Sequence, residues 1–133
     1  TNDAYFSPFD DKTYKHQYKV LLQKIKAVAP EAVFVLTTPG DNLRRRRYTN
    51  NNNVVASRRI QEIAQEEDNI AVWNFYEVMG GLKSVQQWYR YGLSQRDKLH
   101  FTFSGYQLQG QLLFEALDRS YRSYWENTFI KNP

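Results

Sequence analysis

One short apolar segment limits the folds open to this chain more than any other feature. The segment runs from Ala32 to Thr38 (AVFVLTT) and is closed by Pro39 and Gly40. Its apolar residues are continuous rather than alternating, which is typical of a strand buried on both faces within a parallel sheet. The segment therefore predicts an α/β fold, provided that helices and further strands flank it.

The flanking sequence meets that condition. Residues 11–28 carry apolar side chains at helical spacing, with Asp10 at the entry and Pro30 beyond the end. A second amphipathic helix is predicted over 56–65, and Ile70–Trp73 is a second short buried strand. Helix, strand, helix and strand at this spacing predict right-handed α/β units over a parallel sheet.

The last third of the chain begins with a long connection, residues 76–103, and ends in a helix. Connections of this length inside a compact domain are often functional, and Val85–Tyr91 within it is predicted to be helical. Its aromatic residues fit either the lining of an acyl or sugar site or packing over the core: Trp88, Tyr89 and Tyr91. Ser104 and Gln107 form a predicted capping box at the start of the last helix.

Length and composition exclude several classes of protein. The chain has 133 residues, enough for one domain but not for two. It has no apolar run near the roughly 20 residues of a membrane span, and no cysteine for a disulfide scaffold. Two distant histidines, His16 and His100, and no cysteine predict no metal site.

The positive charge of the chain is local. The net charge is +4, and four of the eighteen basic residues form one block, Arg44–Arg47, inside a predicted polar loop over 41–53. The other fourteen basic residues balance fourteen acidic ones. The block fits either a solvated loop or a phosphate-binding patch, and it is no evidence of a basic face over the whole domain.

The segment with the most chemical content lies just before the last helix. Asp97 precedes His100 by three residues on a predicted loop. That spacing lets one turn present a carboxylate to the imidazole, which fixes the histidine tautomer and stabilises the imidazolium after proton uptake. An isolated Asp-x-x-His is common by chance, so the surrounding residues decide its meaning.

Those surroundings resemble a known family. Asp97 and His100, followed by Thr102, Gly105 and the leucine-rich helix, resemble the last conserved block of the SGNH (GDSL) hydrolases. The first three residues, TND, resemble the family's Gly-x-Asn-Asp block. The segment from Pro30 to Pro39 resembles a strand of the family, and the later stretch NFYEVMGG, with Trp88 beyond it, resembles a subgroup of its bacterial esterases.

The resemblance implies a fold and a set of roles. It implies a flavodoxin-like parallel sheet flanked by helices, and an esterase that removes acetyl or similar small acyl groups, often from carbohydrate, without a cofactor. His100 would be the general base, Asp97 its orienting partner, and the Asn2 amide an oxyanion donor. It also implies a bacterial protein that is periplasmic or secreted, although no targeting signal is visible and a cytoplasmic location stays open.

The sequence also departs from the family. No Gly-Asp-Ser block supplies a nucleophile, and the block that holds a further oxyanion glycine is absent. We therefore interpret residues 1–133 as a single incomplete domain, the C-terminal part of an SGNH hydrolase, whose missing N-terminal part carries the serine. Alone, it is expected to be inactive. It is also expected either to associate, through the open edge of the Ala32–Thr38 strand or with the missing N-terminal part, or to be only marginally folded.

A second hypothesis comes from another class of protein. The block Arg44–Arg47 and the tyrosine-rich segments would suit a non-catalytic binding module for glycan or nucleic acid. No recognised nucleic-acid motif supports it, and nucleic acid is the less favoured partner. The feature that separates the two hypotheses is the Asp97 and His100 pair, which a binding module has no reason to contain.

Overall fold

The computed structural model describes the backbone of residues 2–130 and the side chains of residues 4–130. Its helices and strands follow in the order α1 (Asp11–Val28), β1 (Phe34–Thr37), β2 (Leu43–Arg44), β3 (Tyr48–Thr49), α2 (Asn52–Glu66), β4 (Ile70–Trp73), α3 (Phe75–Val78), α4 (Ser84–Arg90) and α5 (Phe103–Trp125). A 3₁₀ turn, Asn2–Tyr5, precedes α1, and a π-helical turn, Glu126–Ile130, follows α5.

Strands β1 and β4 are parallel neighbours. Phe34 lies opposite Ile70 and Thr37 lies opposite Trp73. Helix α2 forms the crossover between the two strands, as a parallel pair requires. The predicted α/β fold, with a parallel sheet flanked by helices, is therefore confirmed.

The expectation that β1 is buried on both faces is wrong for the part of the chain that the structure describes. Leu36 packs against a cluster from the 3₁₀ turn, α1 and α2, whereas Val33 is 75% and Val35 is 48% exposed. The reason is that no described element covers the face of Val35. Within residues 2–130, β1 pairs with β4 alone, so its other edge carries no strand.

Helices α1 and α2 are joined by ion pairs across their contact. Lys15 Nζ lies 2.9 Å from Glu62 and 2.6 Å from Glu66, and Lys19 Nζ lies 2.7 Å from Glu66. Hydrogen bonds from Lys15 and Lys19 lower the pKa of the Glu66 carboxyl to about 2. Helix α1 begins as predicted, because the Asp10 side chain accepts from the backbone N–H groups of its first turn.

An aromatic cluster lies beneath the long connection. Phe75 stacks on Trp73 with ring centroids 5.0 Å apart, and it meets Trp88 and Phe101 edge-on, each with ring centroids 5.8 Å apart. Trp88 is buried, and its indole N–H donates to the Met79 carbonyl at 3.1 Å. Of the two alternatives for the aromatic residues of the connection, Trp88 therefore packs in the core, while Tyr91 is 80% exposed.

Residues 41–53, predicted to be a polar loop, instead contain the hairpin of β2 and β3. Leu43 lies opposite Thr49, and Arg44 opposite Tyr48. Beneath the hairpin, the buried Asn50 amide donates to Ala4 O, Asn42 Oδ1 and Asn53 Oδ1. In the sequence these asparagines look like loop residues. In the fold their amides are buried, because they hydrogen-bond to backbone carbonyls and to one another.

Candidate functional site

The Asp97 carboxylate and the His100 ring are in direct contact. Nδ1 of His100 lies 2.7 Å from Oδ2 of Asp97. The other carboxylate oxygen, Oδ1, accepts from the backbone N–H groups of Leu99 at 2.9 Å and of His100 at 3.0 Å. One side chain therefore shapes the turn and orients the imidazole that the turn carries.

The same contacts keep Asp97 ionised. Its partial burial raises the pKa of the carboxyl, but the hydrogen bond from His100 and those from two backbone N–H groups outweigh burial and lower that pKa below its ordinary value. The carboxylate is therefore negative at neutral pH. A negative carboxylate at Nδ1 favours the tautomer that leaves Nε2 free to accept a proton.

The loop that carries the pair is tied down at both ends. Ser94 and Phe101 form an antiparallel bridge, and Gln95 N–H donates to His100 O at 2.9 Å. Phe101 fills the aromatic cluster, with its ring 4.9 Å from Trp88. Apolar burial of Phe101, the residue next to His100, therefore fixes where the imidazole lies.

Helix α5 begins immediately after this loop. It starts at Phe103 and its cap is Thr102, whose hydroxyl accepts from Gly105 N–H at 3.2 Å and donates to Gly92 O at 2.7 Å. The predicted capping box of Ser104 and Gln107 is wrong by two residues. Thr102 is the better cap because its extended backbone leaves the hydroxyl facing the first turn, whereas Ser104 already lies inside the helix.

His100 lies on the wall of a cavity of about 280 Å³. Two strand ends and two loops build this cavity, so it lies at the carboxyl edge of the parallel sheet, where α/β folds bind ligands. The lining residues are Thr37, Thr38, Pro39, Gly40, Asp41, Asn42, Phe75, Leu99, His100, Phe101, Tyr106 and Gln109.

The two strand ends are locked together beneath the cavity. Thr38 Oγ1 donates to Asn74 Oδ1 at 3.0 Å and accepts from Tyr76 N–H at 2.9 Å. Because both hydrogen-bonding roles of the Thr38 hydroxyl are used, it is a structural group and not a reactive one. It follows β1 directly, as Asn74 follows β4, so the register of the sheet sets the floor of the cavity.

Sequence reasoning missed Asp41. This residue is 1% exposed, lines the cavity, and accepts from Val85 N–H at 3.1 Å at the start of α4. Burial raises the pKa of its carboxyl more than the backbone N–H donors of Val85, Asn42 and Lys83 lower it. The one feature of the sequence that could have indicated Asp41 is its position two residues after Pro39, at the carboxyl end of the predicted strand.

The remaining predicted residues are placed as follows. The Asn2 side chain lies outside the described residues, although its backbone belongs to the first 3₁₀ turn. His16 is exposed on α1, and Arg45–Arg47 are exposed at the tip of the hairpin. Within residues 4–130, no three side chains of the metal-binding types come together, and no helix there is long and apolar enough to cross a membrane.

The site can take up a proton, and it lacks a nucleophile among the residues described. Nε2 of His100 has no hydrogen-bond partner within residues 4–130, and the side chain is 57% exposed. No serine belongs to the cavity wall. Ser94, six residues before His100, is buried, and its hydroxyl donates to the carbonyls of Gln95 and His100.

Comparisons with known proteins identify a family and a similar fold. The profile of the GDSL-like Lipase/Acylhydrolase family matches residues 1–108. The chain is also similar to a solved structure described as a peptidoglycan O-acetylesterase in action, with a TM-score of 0.81 and 20% identity. That match covers 92% of this chain but 36% of the other, so this chain spans about a third of that protein's length. The sequence comparison with curated proteins gave no match.

Proposed function

Because the chain belongs to the GDSL-like lipase/acylhydrolase family, we propose that the protein containing it is an ester hydrolase in which His100 is the general base. The observation that carries the proposal is the 2.7 Å contact between His100 Nδ1 and Asp97 Oδ2 on the wall of the cavity. A histidine oriented by a carboxylate, with its second ring nitrogen open to a cavity, is the arrangement that activates a serine for acyl transfer.

The proposed reaction has two halves. Nε2 of His100 takes the proton of a serine hydroxyl as the serine attacks the ester carbonyl, and then gives it to the leaving alcohol. Water, activated by the same nitrogen, releases the acyl group from the serine. Asp97 stabilises the imidazolium in both halves, and the amide of Asn2 is the proposed donor to the oxyanion.

The serine of this proposal lies outside residues 1–133. Two observations support that assignment: no serine lines the cavity among the described residues, and the similar esterase structure is about three times as long as the match. The missing part would extend the sheet at β1, since that strand pairs on one side only and exposes Val33 and Val35. By the same reasoning, residues 1–133 alone are inactive.

The proposed substrate is a small acyl ester, an acetyl group on a carbohydrate. The part of the cavity that this chain lines, about 280 Å³, suits a short acyl group better than a long lipid chain. The similar structure is that of an esterase described as acting on peptidoglycan O-acetyl groups, which agrees with a carbohydrate substrate. A periplasmic or secreted bacterial protein, which would meet such polymers, remains our prediction for its location.

Active-site labelling tests the proposal. The full-length protein is treated with a fluorophosphonate probe, which reacts with activated serines, and the labelled peptide is identified by mass spectrometry. We expect one labelled serine, outside residues 1–133, and strongly reduced labelling in His100→Ala. A label on Ser94 or Ser104 would place the nucleophile inside this chain and contradict the proposal, as would equal labelling of the variant.

The rival hypothesis of a non-catalytic binding module has less support. It has no use for an oriented imidazole with a free Nε2 on a cavity wall. Filter binding of the full-length protein to nucleic acid across a salt series is its direct test. Tight, salt-resistant binding with no esterase activity would favour the binding module.

A further inference from the structure

Four consecutive arginines form the tip of the β2–β3 hairpin, and we call Arg44–Arg47 the arginine turn. Arg47 N–H donates to Arg44 O at 3.1 Å, which closes a four-residue turn. Its two central residues, Arg45 and Arg46, have φ values of 49° and 63°. Within residues 4–130, none of the four is in an ion pair.

Arginine is a poor choice for these two positions. Turns with positive φ at both central residues favour Asn and Gly, since other L-residues are strained there. The sequence therefore places two cations where the backbone disfavours them. Residues 42–58 contain five arginines and no acidic residue, and the carboxylate of Asp41, just before them, is buried and accepts from Val85 N–H. Strain at an exposed, uncompensated charge cluster points to a binding role.

The arginine turn is held rigidly. Arg45 N–H donates to the hydroxyl of Tyr5 at 3.2 Å. At the base of the hairpin, the buried amide of Asn50 binds three acceptors, and Asn53 donates to Gly40 O at 2.9 Å. A solvated loop would need no such anchoring. A fixed backbone limits the region that the four side chains sample, which lowers the entropy lost when they bind an anion.

The base of the β2–β3 hairpin, from which the arginine turn extends, lies beside the cavity of His100. Asn42 lines that cavity, and Arg44 follows it by two residues, about 7 Å along an extended strand. Leu43 N–H donates to Lys98 O at 3.0 Å, in the loop that carries the Asp97 and His100 pair. The hairpin and the loop of the proposed base are therefore hydrogen-bonded neighbours.

We propose that the arginine turn binds an anionic group, a carboxylate or phosphate, on the polymer whose ester reaches the His100 cavity. This inference rests on the proposed function and adds a substrate class to it: esters carried by negatively charged polymers. Planar guanidinium groups bind both kinds of anion through paired hydrogen bonds, and four consecutive arginines suit a polymer with repeated charges.

The double variant Arg45→Asn/Arg46→Gly tests the inference, because it removes both charges and supplies residues that the turn prefers. Binding of the full-length protein to fluorescein-labelled polygalacturonate, polyphosphate and neutral dextran is followed by anisotropy. Rates are measured on O-acetylated polygalacturonate and O-acetylated dextran. The matched control is Arg58→Gln/Arg119→Gln, which removes two exposed charges outside the arginine turn.

We expect the double variant to bind the anionic polymers about tenfold more weakly, a loss typical of one strong charge contact. The ratio of kcat/KM for the anionic ester to that for the neutral ester should fall by a similar factor. Its melting temperature should rise by a few degrees as the strain is relieved. The control variant should lose less than twofold in binding. Tighter binding of polyphosphate or of polygalacturonate identifies the preferred anion.

Other results would overturn the inference. One is an unchanged ratio of kcat/KM for the anionic and neutral esters in the double variant. Another is a loss of polymer binding in the control variant equal to that in the double variant. The third is binding of a DNA duplex, dependent on Arg45 and Arg46, that is tighter than binding of both anionic polymers. A failure of the proposed function has a different signature, since the wild-type protein would then hydrolyse neither acetylated polymer whatever it binds.

Discussion

Asp97 uses its two carboxylate oxygens for two purposes: Oδ1 holds the backbone of the turn and Oδ2 holds the ring of His100 at 2.7 Å. Asp97 therefore both stabilises the loop and orients the imidazole of the proposed base. A substitution at Asp97 alters the shape of the loop, the charge beside the imidazole, or both, depending on which oxygen it keeps.

Asparagine and alanine at position 97 should separate these two effects. Asp97→Asn keeps an acceptor for the N–H groups of Leu99 and His100 but removes the charge, so it should lower kcat by about 100-fold or more with little change in melting temperature. Asp97→Ala should lower both. Rates on p-nitrophenyl acetate and thermal unfolding of the full-length protein measure this. Equal melting temperatures for the two variants would show that Oδ1 does not hold the turn.

Gly105 should not tolerate a side chain. A Cβ at this position would lie 1.9 Å from the carbonyl oxygen of Leu93, inside the segment that positions Phe101 and His100. Gly105→Ala should therefore destabilise the fold by about 2 kcal/mol or more and reduce activity. Gly110→Ala, on the same helix with nothing within 4 Å, should be neutral or stabilise by up to about 1 kcal/mol. Denaturant unfolding of both variants checks this, and equal stabilities would contradict the close packing of α5 on the loop.

The ion pairs between α1 and α2 should make the stability of the fold depend on pH in the acidic range. The pKa of Glu66 falls to about 2 in the folded protein, below its ordinary value of 4.5. Its contribution is therefore complete above about pH 4.5 and is lost as the pH falls toward 2. Glu66→Gln should lower the melting temperature at pH 7, and the difference from wild type should shrink between pH 4.5 and 2. Glu31→Gln, an exposed residue in none of the described ion pairs, is the control; a Glu66→Gln difference independent of pH would be the opposing result.

Asp41 should contribute to stability as a hydrogen-bond acceptor for the start of α4 rather than through its negative charge. Asp41→Asn keeps an acceptor for Val85 N–H and removes a buried carboxyl whose pKa is raised, so it should be close to neutral for stability. Asp41→Ala leaves that N–H without its partner and should cost about 1–3 kcal/mol. Chemical denaturation compares the two. A strongly destabilised Asp41→Asn would mean that the negative charge itself is needed.

The sequence predicted the parts of the fold that depend on local pattern. The continuous apolar run became β1, Ile70–Trp73 became β4 with the predicted bounds, and Asp10 became the cap of α1. The spacing of Asp97 and His100 also predicted their contact, because a three-residue separation acts within one turn. Roles for these residues and for Asn2 stay predictions.

The misses depended on contacts that are distant in sequence. The asparagines at positions 50 and 53 looked like a polar loop, yet they are buried because Ala4 and Gly40 supply partners from other segments. Asp41 gained its role from Val85, more than forty residues away. The cap of α5 moved to Thr102 because Gly92 O holds its hydroxyl in place. Pattern within a short window carries no information on such partners.

The most direct test of the account compares the two histidines of this chain in the full-length protein. His100→Ala should reduce kcat/KM for p-nitrophenyl acetate by about 1,000-fold or more, since the base that activates the nucleophile is lost. His16→Ala, at an exposed position on α1, should retain the wild-type rate. If His100→Ala keeps a rate within a fewfold of wild type while remaining folded, His100 is not the general base and the central claim is contradicted.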